Sequence, residues 1–254
     1  FTTQSIDSDG YPTMAAHPGG APANFLAAIA KFGGKAGMLG KVGTDTFGKL
    51  LTNTLRGAGI ETKGLVAADD VFTTLAFVTL DENGDREFAF ARKPGADTRL
   101  RSDELDLTVI DECRMLHFGT LSLTDEPARS ATQAAVEYAR RRGKLISFDP
   151  NLREPLWPSL DAAAEQMLWG LKNADVVKIS GEEAEFRRRL REERGGYPER
   201  LRRKARDDNA RQRGLFYKEP YRAVPRSGGA RKGGGHYRRR RHLRRQRRIL
   251  PALL

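Results

Sequence analysis

Through the first 186 positions the apolar residues alternate between helical spacing and short buried runs, the rhythm of a layered α/β fold with a mainly parallel sheet. Residues 22–31 (PANFLAAIAK) put Phe25, Ile29 and Phe32 on one helical face, and Gly33-Gly34 supply the stop. A short buried strand is predicted over 36–42, then a helix over 45–56 with Asp45 at its start and Gly57 after its end. From Leu105 a helical stretch runs to Cys113, followed by strand 115–119, helix 126–142, strand 145–149, helix 160–172 and strand 176–179. No strand is read ahead of the first helix, and with no Met at position 1 the N-terminus is expected to be truncated.

Residues 73–92 (TTLAFVTLDENGDREFAFAR) break this pattern. Two alternating runs flank Asn83-Gly84, a pair that tolerates the positive φ angles of a tight hairpin turn. The expectation is an antiparallel ribbon projecting from the core as a lid, with a plain edge hairpin as its alternative.

Composition divides the chain in two. Residues 1–186 carry 20 Lys and Arg against 27 Asp and Glu, whereas residues 187–254 carry 25 against 6, with Arg outnumbering Lys 22 to 3. The overall surplus of +12 therefore resides in the tail, so it does not identify the first part as a binder of nucleic acid or anionic membrane. The single Cys113 excludes an internal disulfide and a cysteine-built metal site, in keeping with a reducing compartment. No run of about 18 apolar residues is present, so a soluble, cytoplasmic protein is expected.

Three clusters carry candidate chemistry. Pro18-Gly19-Gly20-Ala21-Pro22-Ala23-Asn24 is a glycine turn feeding a helix, where backbone can approach a ligand and Asn24 can offer a donor and an acceptor to a polyol; from these residues alone a plain turn before a helix is the favoured reading. Asp149-Pro150-Asn151-Leu152-Arg153 closes a strand, where Arg153 offers a forked donor suited to phosphate; a helix cap with a surface ion pair is the alternative. Ser180-Gly181-Glu182-Glu183 sets carboxylates at the next strand end, either to orient hydrated Mg²⁺ or to satisfy the first turn of a helix. All lie at the carboxyl ends of strands or at a helix start, where open parallel sheets bind ligands.

In this order the segments GGAPAN, GKVGTDTFG, the ribbon 73–92, KPGAD, HFGTLSL, DPNLREPLWPS and VVKISGEEAEF resemble the ribokinase-like sugar kinases, the pfkB carbohydrate kinases, and among them the fructokinases. The resemblance covers residues 1–186. It implies a doubly wound core with a small β lid, dimerisation through that lid, and transfer of the ATP γ-phosphoryl group to a sugar hydroxyl with Mg²⁺, fructose being the favoured sugar. It implies sugar contacts for Gly19, Gly20 and Asn24, lid-side contacts for Phe90 and Arg92, phosphate contacts for Asn151 and Arg153, and a water-mediated Mg²⁺ contact for Glu183. The family's Asn-x-x-Glu appears here as Ser180-x-x-Glu183. His117 is read as a packed polar residue rather than a catalyst.

The family's first strand, with a sugar-gripping Asp, would precede Phe1. Its Asp-Thr-x-Gly-Ala-Gly-Asp signature, source of the general base and an anion hole, is absent from this chain. Yet the codons permitted by residues 234–245 (GGHYRRRRHLRR), taken one nucleotide later, admit Val-Asp-Thr-Thr-Gly-Ala-Gly-Asp-Thr-Phe-Val-Gly. Residues 207–211 likewise admit Met-Thr-Thr-Leu-Gly. Residues 187–254 are therefore expected to be an out-of-frame, natively unfolded segment, leaving a sugar kinase without catalytic residues. Two other expectations stand beside it: a non-catalytic sugar-binding protein, and a basic arm for nucleic acid. The arm is disfavoured because such an excess of Arg over Lys is what GC-rich DNA yields out of frame.

Overall fold

The computed structural model describes residues 1–80, 86–194 and 214–217. The expected Asn83-Gly84 turn and most of the basic segment, including residues 207–211 and 234–245, lie outside the described residues.

The chain opens with strands β1 (Thr2–Ile6) and β2 (Pro12–Ala15), paired antiparallel, where no strand was expected. Their residues are mostly exposed and polar, so apolar periodicity does not reveal them. Helix α1 (Ala21–Lys31) follows the glycine turn. Strands β3 (Ala36–Gly37) and β4 (Gly40–Gly43) lead to helix α2 (Thr46–Gly57), and the short strands β5 (Ile60–Glu61) and β6 (Leu65–Ala68) return. The expected single strand over 36–42 is thus split. Ala36 pairs with Ile60 but Gly40 with Leu65, so the partner segment carries one extra residue, a bulge that interrupts the ladder. The ribbon strands β7 (Leu75–Leu80) and β8 (Arg86–Ala91) pair antiparallel, Leu75 with Ala91 and Leu80 with Arg86. Because β1 also pairs with β7, in parallel, the lid is a four-stranded sheet in the order β2-β1-β7-β8 rather than a lone ribbon.

The second half follows the predicted order closely: α3 (Leu107–Glu112), β9 (Met115–Gly119), α4 (Ala128–Arg141), β10 (Leu145–Asp149), α5 (Leu160–Asn173), β11 (Val176–Ile179) and α6 (Gly181–Arg194). Strands β9, β10 and β11 are parallel. The main core lies on this sheet, where Phe118, Ile146 and Phe148 meet Val136 and Ala139 of α4 and Ala163 of α5. Gly170 of α5 lies against the Phe148 ring, a close approach that a side chain would block.

Two departures concern helix and strand ends. Phe32, expected on the buried face of α1, is 91% exposed, because the helix stops at Lys31 and Gly33 turns the chain at φ 81°, so helical spacing no longer applies to it. Helix α6 runs past the break at Phe186 to Arg194, since Arg, Leu and Glu are good helix formers. A last strand, β12 (Gly214–Tyr217), pairs antiparallel with β11, although it falls in the segment expected to lack native structure.

Candidate functional site

Because β9, β10 and β11 run in parallel, the segments that follow them emerge along one edge of the sheet. They are stitched together there. The Thr120 N–H and hydroxyl both donate to the Pro150 carbonyl, joining the segment after β9 to the loop after β10. The Leu152 N–H donates to Glu183 Oε1 at 2.9 Å, joining that loop to the start of α6. Lys178 of β11 reaches across to Asp149 of β10, with Nζ 3.1 Å from Oδ1 and 3.0 Å from Oδ2. Burial raises the Asp149 carboxyl above its usual range, against the opposing pull of Lys178.

The glycine turn reaches the same sheet through α1. Phe25 stacks on His117 of β9, ring centroids 4.0 Å apart at 23°. Gly20 caps the helix at φ 115° and ψ 127°, a conformation that side-chain-bearing residues rarely adopt, and its carbonyl accepts the Asn24 N–H at 2.9 Å. Gly19 and Gly20 are exposed and Asn24 half-buried, and the Asn24 side chain makes no hydrogen bond among the described residues. That leaves its amide available to a ligand.

The lid is tied down at two points. Arg92, at the foot of β8, is buried, and its guanidinium donates from Nε to Asp97 Oδ2 at 2.9 Å, from Nη1 to the Thr124 hydroxyl at 2.9 Å and from Nη2 to the Leu121 carbonyl at 2.7 Å. Asp97 also accepts the Thr74 hydroxyl proton. The guanidinium is thus engaged by protein groups and anchors the lid to the segment after β9, whereas the resemblance gives it a sugar contact. Farther out on β8, Phe88 and Phe90 lie on one face, centroids 6.2 Å apart, and Phe88 meets the Arg153 guanidinium at 5.9 Å. Among the described residues, Arg153 makes one hydrogen bond, from Nη1 to the Leu152 carbonyl, and has no carboxylate partner. Asn151 beside it takes φ 43°, a left-handed conformation in which Asn is among the better-tolerated side chains.

Glu183 is arranged differently from a metal ligand. Its Oε2 accepts the Ser180 N–H at 2.8 Å and its Oε1 the Leu152 N–H, while the Ser180 hydroxyl accepts the Glu183 N–H at 3.2 Å. This is a capping box, legible in the sequence as Ser-x-x-Glu before a helix. Among the described residues no group of three His, Cys, Asp or Glu side chains could hold a metal ion. Both Glu183 oxygens accept backbone N–H groups, an arrangement compatible with a contact to Mg²⁺ through water, and Arg153, with no carboxylate partner among the described residues, fits a phosphate.

His117 is held neutral. Its Nδ1 lies 3.0 Å from the Ser147 hydroxyl, and burial, followed by the Lys178 charge, pushes its pKa down to about 4. With the folded value below the unfolded one, stability is retained above about pH 6.5 and is lost as the pH falls toward about 4, by up to about 3 kcal/mol. Urea unfolding of the parent and of His117→Gln at pH 7 and pH 4.5 checks this: the variant should lose markedly less stability between the two pH values.

Comparison with known proteins follows this geometry. A profile of the pfkB family carbohydrate kinases matches residues 7–195. The chain is 44% identical over 185 residues to the probable fructokinase-3 of Arabidopsis thaliana, a match covering 73% of this chain and 54% of that protein. It is 48% identical over 169 residues to fructokinase-2 of Zea mays, covering 66% and 50%. The fructokinase of Xylella fastidiosa with bound ATP superposes with a TM-score of 0.70 at 33% identity, over 74% of this chain and 60% of that one. The Vibrio cholerae O395 fructokinase in its fructose, ADP and calcium ion bound form superposes with a TM-score of 0.63 at 33% identity, over 73% and 60%. The expected ribokinase-like α/β fold is thereby established, and the chain spans about half the length of the curated relatives it matches. On the extent of the profile match and the identity to these relatives, this chain belongs to the pfkB family of carbohydrate kinases.

Proposed function

We propose that this chain carries the sugar-binding turn, the lid and part of the phosphate site of a fructokinase-like kinase, and that it lacks the groups that would complete phosphoryl transfer. One observation above the others supports this: the lid and three successive strand-end segments are joined along one edge of a parallel sheet that the glycine-turn helix also packs against, and among the described residues Arg153 has no carboxylate partner and the Asn24 amide no hydrogen bond. In this proposal Gly19, Gly20 and Asn24 receive a hexose, fructose first, with Phe90 closing from the lid. Asn151 and Arg153 receive a nucleotide phosphate, ATP supplying the phosphoryl group when bound. A divalent cation would meet the phosphates and water rather than Glu183 directly. Arg92 serves by holding the lid to the core.

A sugar-binding role is testable without turnover. Fructose at millimolar concentration should raise the thermal midpoint of the full chain by a few degrees, as any ligand of the folded state does. Asn24→Ala should abolish that rise while leaving the midpoint without sugar within about 2 °C, a loss typical of partly exposed polar substitutions. An equal rise in parent and variant would remove Asn24 from the sugar site. No rise with fructose or any other ketose would remove the sugar site itself.

A further inference from the structure

Arg153 belongs to the loop after β10, yet the aromatic ring nearest its charge belongs to the lid. Its guanidinium carbon lies 5.9 Å from the centroid of Phe88 on β8. Three features make this contact informative. First, no carboxylate competes for Arg153 among the described residues, so the ring and the Leu152 carbonyl are what orient it. Second, the backbone beneath Arg153 is pinned, because the Leu152 N–H is held by Glu183 Oε1 at 2.9 Å and Glu183 is itself fixed in the capping box of α6. The side chain is then the one adjustable part of this segment. Third, Phe88 is 40% exposed and its stacking partner is Phe90 of the same strand, so it contributes little to any core. A cation over an aromatic face keeps its N–H edges available to an anion while the ring limits where the guanidinium can go.

From this geometry, and resting on the proposal that Arg153 meets a nucleotide phosphate, we infer that Phe88 is a positioning residue that holds the Arg153 guanidinium toward the phosphate from the lid side. The lid would then contribute to the phosphate half of the site as well as covering the sugar. Phe88 touches neither sugar nor phosphate in this scheme and acts only through Arg153.

The experiment titrates the full 254-residue chain with inorganic tripolyphosphate by calorimetry at fixed ionic strength, for the parent, Arg153→Gln, Phe88→Leu and Phe88→Tyr. Arg153→Gln should bind at least tenfold more weakly. Phe88→Leu should bind about two- to fivefold more weakly, the range of an exposed cation–π contact, with an unchanged thermal midpoint. Phe88→Tyr, which keeps the ring, should bind like the parent. If Arg153→Gln binds as the parent does, Arg153 is not a phosphate contact and both statements fall. If Arg153→Gln is impaired while Phe88→Leu binds like the parent, or Phe88→Tyr is as weak as Phe88→Leu, the phosphate site stands and the positioning role of Phe88 is overturned.

Discussion

Gly48→Ala should lower the thermal midpoint by about 6–12 °C, equivalent to about 3 kcal/mol for a chain of this size. Helix propensity alone predicts the opposite, since Ala is favoured over Gly inside a helix by about 1 kcal/mol. Close contact decides the sign. A β-carbon at Gly48, buried in the first turn of α2, would stand 1.8 Å from the Gly43 carbonyl oxygen and 2.9 Å from the Thr73 hydroxyl. Neither neighbour can retreat cheaply. The Gly43 N–H donates to the Thr73 hydroxyl at 2.9 Å, and Thr73 donates to Asp45 Oδ2 from its N–H and its hydroxyl, each at 2.8 Å. Asp45 Oδ1 in turn accepts the Phe47 and Gly48 N–H groups as the cap of α2. Although burial alone would raise it, these donors hold the Asp45 carboxyl below its usual range, so the knot favours the charged form. Moving α2 far enough to admit a methyl group would break several of these bonds at once. Gly57→Ala is the internal control, because a β-carbon there meets nothing within 4 Å, and it should leave the midpoint unchanged or slightly higher. A Gly48→Ala protein melting within 2 °C of the parent would contradict this account.

The Asp45 knot also marks what the sequence made legible. Asp45 was readable as a helix start because capping is local, a side-chain oxygen meeting N–H groups two and three residues on. Its second task, receiving Thr73 from 28 residues away, leaves no trace in local spacing. The same division runs through the fold. Strands β9, β10 and β11 were legible because they are short apolar runs between strongly periodic helices. Strands β1, β2, β5 and β6 were not, being short, largely polar or incompletely buried, with β1 also paired to β7 and β5 and β6 held by β3 and β4, partners distant in sequence. Long-range pairing of this kind is a tertiary property that propensity only weakly anticipates.

At the site, residue types were more legible than their engagements. The alternation that set Phe88 and Phe90 on one face of a strand was visible, yet only the packing of lid on loop brings Phe88 to Arg153. Glu183 carried two meanings, and its geometry favours the local one, because Ser180 stands three residues before it with both capping bonds made. Arg92 was visible as a cation near the lid, but its burial and its bonds to nearby Asp97 and to Leu121 and Thr124 of a distant segment were not. The Lys178 contact with Asp149 had a signal that could have been used, since adjacent parallel strands of similar depth place those two residues side by side.

The largest effect expected of this protein concerns catalysis. The 254-residue chain should show no ATP-dependent phosphorylation of fructose, whereas the product of a gene read one nucleotide on from the codons near Phe186 should, with a rate at least about 10⁴-fold higher. The magnitude follows from what the shifted text supplies. A positioned general base is worth about 10²–10⁴, and a pair of backbone donors at a helix start about 10²–10³ against developing negative charge. Because phosphoryl transfer relies on positioning and charge stabilisation, Arg153 and the lid cannot replace both. Among the described residues β11 pairs with β10 on one side and on the other with β12, four residues of the basic segment in antiparallel pairing. The family profile stops at residue 195, near the change in composition, and the matches cover about half of the relatives' length. ADP release and sugar phosphate formation should be measured together for both proteins, so that hydrolysis of ATP by water is told apart from transfer. Replacing the final Asp of the restored Gly-Ala-Gly-Asp by Asn should then remove about 10²–10⁴ of the rate while leaving fructose binding intact. Sugar phosphate formed by the 254-residue chain itself would refute the proposal that its catalytic half lies out of frame.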